Sequence, residues 1–334
     1  MNHMPPSLKP LFRIVLLTAA GLQSVLAWAG PLPGPLVDSK WLADNLDKVQ
    51  VVEVRGNAKS FTAEPEIATD AKGKKTIEEI GGHIAGSRLV ESKGVRVDRK
   101  FGDLTVKYMI PERADFEKFV QRAGIDAGKP MVIVPVGLNA ADVNDAMRLY
   151  WQFKVYGEDD MAVLDGGMAG WLLEGKPFAK DTPAAKTGSW TSKTDRTAQY
   201  FADSNEVAAI IEKKNATLVD AREAPQFHGL VKRDYVYAYG HLDTAKNLSP
   251  DTTYKTSGGV VKMLPVNTYK AVLAAQGIDP TAPAVVYCNS GSQSGLPWFI
   301  LSELVGNKNA KQYDGSLHQW TLEKRQLVGA VPLN

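Results

Sequence analysis

The chain repeats itself, and a repeat constrains architecture more than any local signal does. Its landmarks recur in one order. Val51-Val52-Glu53-Val54-Arg55 answers Leu218-Val219-Asp220-Ala221-Arg222, each an apolar run that ends in an acid, a small or apolar residue and an arginine. Gly82-His83-Ile84 answers Gly240-His241-Leu242. Gly124-Ile125-Asp126, with Pro130 and the run Met131 to Val134, answers Gly277-Ile278-Asp279 with Pro283 and Ala284 to Tyr287. Leu164-Asp165-Gly166-Gly167 with Trp171 answers Tyr313-Asp314-Gly315-Ser316 with Trp320. Amphipathic stretches at Ala114 to Ala123, Ala140 to Tyr156, Ser204 to Lys213 and Val266 to Gln276 have helical spacing. Strands alternating with helices predict an α/β fold of two tandem domains, each a mainly parallel sheet flanked by helices.

The copies are expected at residues 35–175 and 200–330. Residues 176–199, rich in Lys, Thr, Ser, Pro and Ala, read as a linker wrapped along the surface. The polar stretch Ala58 to Ile80 reads as a solvated loop inserted in the first copy. Ahead of both, Lys9 and Arg13 precede an apolar stretch from Ile14 to Leu26 and the small-residue site Ala27-Trp28-Ala29, the layout of a cleavable export signal over residues 1–29. The protein is therefore expected to be exported, periplasmic in a Gram-negative source and otherwise secreted. Without Lys9 and Arg13 the 39 basic residues fall level with the 37 acidic ones. That balance, with no basic run, argues against a nucleic-acid or anionic-membrane partner and for a small substrate.

Cys288 is the one cysteine, so no intramolecular disulfide can form. It follows Val285-Val286-Tyr287, which reads as a buried strand, and opens the small-residue loop Asn289-Ser290-Gly291-Ser292-Gln293-Ser294 ahead of a helical pattern from Pro297 to Val305. A lone cysteine is commonly a small buried hydrophobe. This one stands after the apolar run, where loop amides and a helix N-terminus favour a thiolate, and it is read as a nucleophile. In the aligned first copy the place belongs to Pro135, which has neither nucleophile nor amide hydrogen, so the first copy is read as a scaffold.

Cysteine, two residues, then glycine at Cys288 and Gly291, the paired Gly-His motifs and the segment Tyr313-Asp314-Gly315-Ser316 to Trp320 together resemble the two-domain rhodanese family of sulfurtransferases, over about residues 35 to 325. The resemblance implies an inactive first copy, an active second copy and an active loop from Cys288 to Gln293. In that loop the cysteine takes a sulfane sulfur from a small donor, becomes a persulfide, and passes the sulfur to a thiol or cyanide-like acceptor or to an exported protein. The uncharged loop looks nearer relatives that use 3-mercaptopyruvate than those that use thiosulfate. Gln226 stands where the family tends to place an anion-binding arginine, and Arg233 is the residue that could compensate.

The loop residues Asn289 to Ser294, with Gln226 and Arg233, are thus the candidate substrate contacts. Asp220 and Arg222 are read as supporting the site by pairing or by orienting the loop. His83 and His241 recur in both copies and read as structural hydrogen-bond partners, while His228 and His318 fall nearer the cleft. No metal-ligand spacing or phosphate loop is present, so no cofactor is expected. A cysteine-dependent phosphatase would need arginine where Ser294 stands. The alternative from another class is a non-catalytic persulfide carrier or sulfur-compound binding module for an exported partner.

Overall fold

The computed structural model describes residues 32–329 together with Met1 and Val331. Apart from Met1, the expected export signal lies outside the described residues. Each recurring apolar run becomes a strand. The first sheet runs in the order Leu36–Val37, Met161–Leu164, Met131–Val134, Gln50–Arg55, Arg88–Glu91. The second repeats that order with Phe201–Ala202, Ala310–Tyr313, Ala284–Tyr287, Thr217–Asp220, Lys246–Asn247. Every pairing within both sheets is parallel. Val51 lies opposite Val132 and Leu218 opposite Val285, so the landmarks also agree in register. Strands such as Met131–Val134 and Ala284–Tyr287 are buried at every position, as a sheet covered on both faces requires.

The helices Arg113–Arg122, Ala140–Val155, Ser204–Lys213 and Val266–Ala275 follow the amphipathic stretches. Ala140–Val155 begins where the Asn139 side chain accepts from the Asp142 N–H at 3.1 Å. It buries Met147, Leu149, Tyr150, Trp151 and Phe153 in one core cluster that reaches from Val52 and Ile133 in the first sheet to Val286 in the second and Trp298 on the helix after the Cys288 loop. The two copies share this core, and the helix of the first becomes a wall for the second.

Several features add to or differ from the sequence expectation. The stretch read as a solvated loop contains an antiparallel hairpin, Glu66–Thr69 with Lys75–Glu79, whose turn is held by Lys72 and Lys74 N–H groups on Asp70 Oδ1. Ile77, the one buried side chain of its strand, anchors the pair despite its charge. Each copy also carries a hairpin that the sequence reading did not anticipate: Val97–Phe101 with Leu104–Met109, and Lys255–Ser257 with Val260–Lys262. The segment after Lys176 is anchored along the first copy, where Trp190 is buried and its indole N–H donates to Glu158 at 3.0 Å. Finally, the helix beyond Cys288 starts at Gly295 and its last turn, Ile300–Leu304, widens to a π-helix. Pro297 falls in the first turn, where its missing N–H leaves no helical bond unmade.

Candidate active site

The strand Ala284–Tyr287 delivers Cys288 to the C-terminal edge of the second sheet, the edge at which α/β sheets open to ligands. Cys288 is 1% exposed. Its N–H donates to Ser316 Oγ at 3.1 Å, and the Gly291 N–H donates to the same oxygen at 3.1 Å. That hydroxyl in turn donates to the Tyr313 carbonyl at 2.8 Å and lies 4.0 Å from the Cys288 Sγ. One oxygen thus ties both ends of the turn from Cys288 to Gly291.

Gly291 has φ +75°, and a Cβ there would fall 2.5 Å from Asp314 Oδ1 and 2.8 Å from Arg148 Nη1. Only glycine suits the position. Its carbonyl accepts from Arg148 Nη1 at 2.9 Å and from Gln312 Nε2 at 3.0 Å. Arg148, buried on the helix of the first copy, also pairs with Asp314, which accepts from the Ile110 N–H at 2.7 Å. The Leu296 N–H donates to Asn144 Oδ1 at 3.1 Å, a further tie from the same helix to the loop.

Asn289, Ser290, Ser292 and Gln293 line, with Cys288, a pocket of about 270 Å³ whose other walls are Arg96, Ala141, Arg233 and Tyr235. The backbone N–H groups of those four loop residues have no acceptor among the described residues. Ser290 lies within hydrogen-bonding reach of the Tyr235 hydroxyl, whose pKa burial pushes up while Ser290 opposes it. A larger cavity, about 440 Å³ with Lys213, Lys308 and Lys311 in its wall, lies at the opposite end of the Cys288 strand and has no cysteine, serine or threonine in its lining.

Three expected contacts are not in the pocket wall. Gly291 faces inward, held by the bonds above. Ser294 is buried at the start of the following helix. Gln226 is buried and points its amide at loop and neighbour: Oε1 accepts from Asn289 Nδ2 at 2.7 Å and Nε2 donates to Glu223 at 2.5 Å. It braces Asn289 from outside the pocket wall. Arg233, exposed on its loop, does reach the pocket.

Asp220 and Arg222 form a buried pair at 2.7 Å, and Arg222 Nη2 also donates to the Gly240 carbonyl at 2.9 Å. Burial works against the Arg222 charge, yet Asp220 beside it holds the guanidinium above its ordinary value. His241 and His83 make one and the same contact, Nδ1 against the carbonyl of Phe227 or Phe61, with the ring stacked on that phenylalanine. His318 is buried with Nδ1 on the Tyr235 carbonyl at 2.7 Å, and His228 is exposed; neither lines the pocket. No cluster of three or more His, Cys, Asp or Glu among the described residues could hold a metal. No described helix is long and apolar enough to cross a membrane.

The sequence reading missed Arg96 and Tyr235. Arg96 belongs to the first copy, and nothing along the chain says that it crosses to the second. Ser316 left a readable trace, since it replaces Gly167 in the aligned Asp-Gly motif.

Comparison with known proteins agrees with this geometry. Residues 203–323 match the family model described as a rhodanese-like domain. A Mycobacterium tuberculosis protein named "Putative thiosulfate sulfurtransferase" is 30% identical over 310 residues, 88% of this chain and 96% of the relative. A Thermus thermophilus protein named "Sulfur carrier protein TtuD" is 26% identical over 306 residues, 86% of this chain and 94% of the relative. Among solved structures, SseA from Escherichia coli, described as a 3-mercaptopyruvate sulfotransferase of the rhodanese fold, superposes with a TM-score of 0.67 at 19% identity, covering 85% of this chain and 98% of that one.

Proposed function

Because the chain belongs to the tandem rhodanese family of sulfurtransferases, we propose that it moves a sulfane sulfur from a small anionic donor to a thiophilic acceptor through a persulfide on Cys288. The observation that carries this reading is the floor of the pocket: one sulfur surrounded by loop residues whose amides have no other acceptor. The Cys288 thiolate attacks the donor's sulfane sulfur. A sulfur–sulfur bond forms, and the bond from that sulfur to the rest of the donor breaks with its electron pair. Thiosulfate would leave as sulfite; 3-mercaptopyruvate would leave as the pyruvate enolate, which takes a proton from water. The acceptor then attacks the outer sulfur, cyanide departs as thiocyanate, and the thiolate returns, which is a ping-pong cycle. The loop amides would stabilise the negative outer sulfur between the two halves.

The purified mature protein and Cys288→Ser, assayed for thiocyanate with each donor separately, test this. Turnover is expected in the first and none in the second; turnover that survives the substitution sinks the mechanism. The Thermus relative named as a sulfur carrier favours a second reading, in which Cys288 takes up one sulfur without turnover and yields it only to a partner protein. We further propose that residues 1–29 direct export and that this partner or acceptor is exported too, which an N-terminus at Gly30 in the exported protein would support and an intact leader would contradict.

A further inference from the structure

The loop around Cys288 carries no charge, Gln226 is occupied by Asn289, and yet two guanidinium groups face the pocket. Arg233 comes from the second copy and Arg96 from the first. Arg55, Arg99, Arg148, Arg196 and Arg222 are all paired with carboxylates, but neither pocket arginine has an ion pair or a side-chain hydrogen bond among the described residues. Asp145 feels the charge of Arg96, though burial pushes its carboxyl pKa up and the two form no ion pair among the described residues. Two cations without an ion-pair partner among the described residues thus line one cavity that has no acid in its wall.

Arg96 is also held in place. It caps the turn Ser92–Val95 and leads into the hairpin whose return strand bears Tyr108. The guanidinium lies 5.2 Å from the Tyr108 ring, and that ring meets the Tyr235 ring edge-on at 5.6 Å. Tyr108 has φ +66°, a left-handed conformation that a bulky residue rarely adopts. Two residues on, the Ile110 N–H is fastened to Asp314 of the second copy. The strained hairpin is stitched down where it carries the arginine across.

Resting on the sulfurtransferase reading above, we propose that Arg96 selects the donor by binding its anionic end, a carboxylate or sulfonate-type group, with Arg233 as the second cation of the pocket wall. The first copy thereby supplies the charge that Gln226 does not. An oxyanion on a guanidinium fork keeps the donor's sulfur directed at Cys288.

Steady-state kinetics of the wild type, Arg96→Gln and Arg96→Lys with thiosulfate and with 3-mercaptopyruvate test the assignment. Arg96→Gln is expected to raise the donor KM roughly 10- to 100-fold with kcat changed by less than about threefold, and Arg96→Lys to recover part of the loss. The donor whose KM rises more identifies the anion that Arg96 reads. Alkylation of Cys288 supplies a readout that needs no turnover: the rate with anionic iodoacetate relative to neutral iodoacetamide should fall about tenfold in Arg96→Gln. An unchanged KM for both donors with an unchanged alkylation ratio overturns the proposal, as does equal slowing by both reagents, which would mark Arg96 as structural. A wild type without Cys288-dependent turnover instead defeats the sulfurtransfer reading, and the alkylation ratio still decides Arg96.

Discussion

In the first copy Pro135 follows its strand and Gly167 follows the Asp-Gly turn; in the second the same places hold Cys288 and Ser316. The frame around them is shared. Met168 and Ala169 N–H groups bind the carbonyls of Pro135 and Val136 at 2.9 Å each, and Leu317 and His318 do the same for Cys288 and Asn289 at 3.2 and 2.9 Å. Pro135 has no N–H to satisfy, and a Cβ on Gly167 would sit 2.3 Å from its carbonyl oxygen. Cys288 has an N–H, and Ser316 brings the oxygen that receives it. The Cys288 loop therefore differs from its counterpart by a pair of changes. A cysteine alone, dropped into the first frame, would lack its partner.

The hairpins differ in the same sense. That of the second copy fills the matching place in the first: Val261 and Met263 N–H groups bind Gly137 and Asp165, and Lys262 Nζ reaches the Asp165 carbonyl at 3.0 Å, leaving only about 10 Å³ beside Pro135. That of the first copy binds Asp314 through Ile110 but stands off from the Cys288 loop, where about 270 Å³ stays open. Related contacts plug one site and wall the other.

The strongest test of this contrast is Gly291→Ala against Gly137→Ala. The first should lower sulfur transfer by roughly 100-fold or more, because moving the turn by even 1 Å misplaces the sulfur. The second meets the Gly166 carbonyl at 2.4 Å with φ +91°, and should cost roughly 1–3 kcal/mol of stability while transfer per folded molecule holds. Matching activity losses would mean that the plugged site still matters to chemistry. Next in size is Arg148→Met, which leaves Asp314 buried without its cation and should cost about 3–5 kcal/mol in denaturant unfolding. Lys262→Met, its counterpart at the plug, removes a partly exposed lysine 3.7 Å from Glu174 and should cost about 1 kcal/mol or less. Ser316→Ala should reduce kcat about tenfold through loss of the shared acceptor, with Cys288 still able to be alkylated. A wild-type rate would remove Ser316 from the comparison.

The parallel sheets and their helices were legible because buried strands such as Met131–Val134 are uniformly apolar and because two copies said the same thing. The hairpins were written more faintly. Gly258-Gly259 and Gly102-Asp103 are two-residue turns with positive φ at their glycines, but their flanking strands are short and polar enough to read as loop. Cys288 and its loop stood out locally, whereas Gln226 was misplaced because spacing along the chain does not say which way an amide turns. Arg96 and Arg148 were out of reach for a different reason: each acts on a loop far along the sequence, and only the shared core brings them there. Tyr287 shows a subtler link. It replaces Val134, and its hydroxyl accepts the Leu242 N–H at 3.2 Å; in the first copy the longer Glu53 accepts the matching Ile84 N–H itself at 2.7 Å. The shorter Asp220 and the added hydroxyl compensate each other.

The smallest expected effect concerns His318, which stands where the first copy has Ala169. Its ring is buried, Nδ1 rests on the Tyr235 carbonyl and Nε2 has no partner among the described residues. Burial lowers its pKa from the ordinary 6.5; the Tyr235 carbonyl opposes that shift, and Lys107 and Asp98 of the first copy's hairpin act with opposite signs. The unfolded chain takes a proton near the ordinary value, while the folded chain takes it only at lower pH. Between those two points the unfolded state holds more protons, so stability is full above the ordinary value and falls as the pH drops through the window. Denaturant midpoints at about pH 7.5 and 5.5 should therefore diverge more for the wild type than for His318→Gln, while Ala169→Gly in the first copy should leave the pH slope as it was. Equal slopes in the wild type and His318→Gln would show that the ring protonates in place, and the second copy would then differ from the first at its loop and pocket but not in its response to acid.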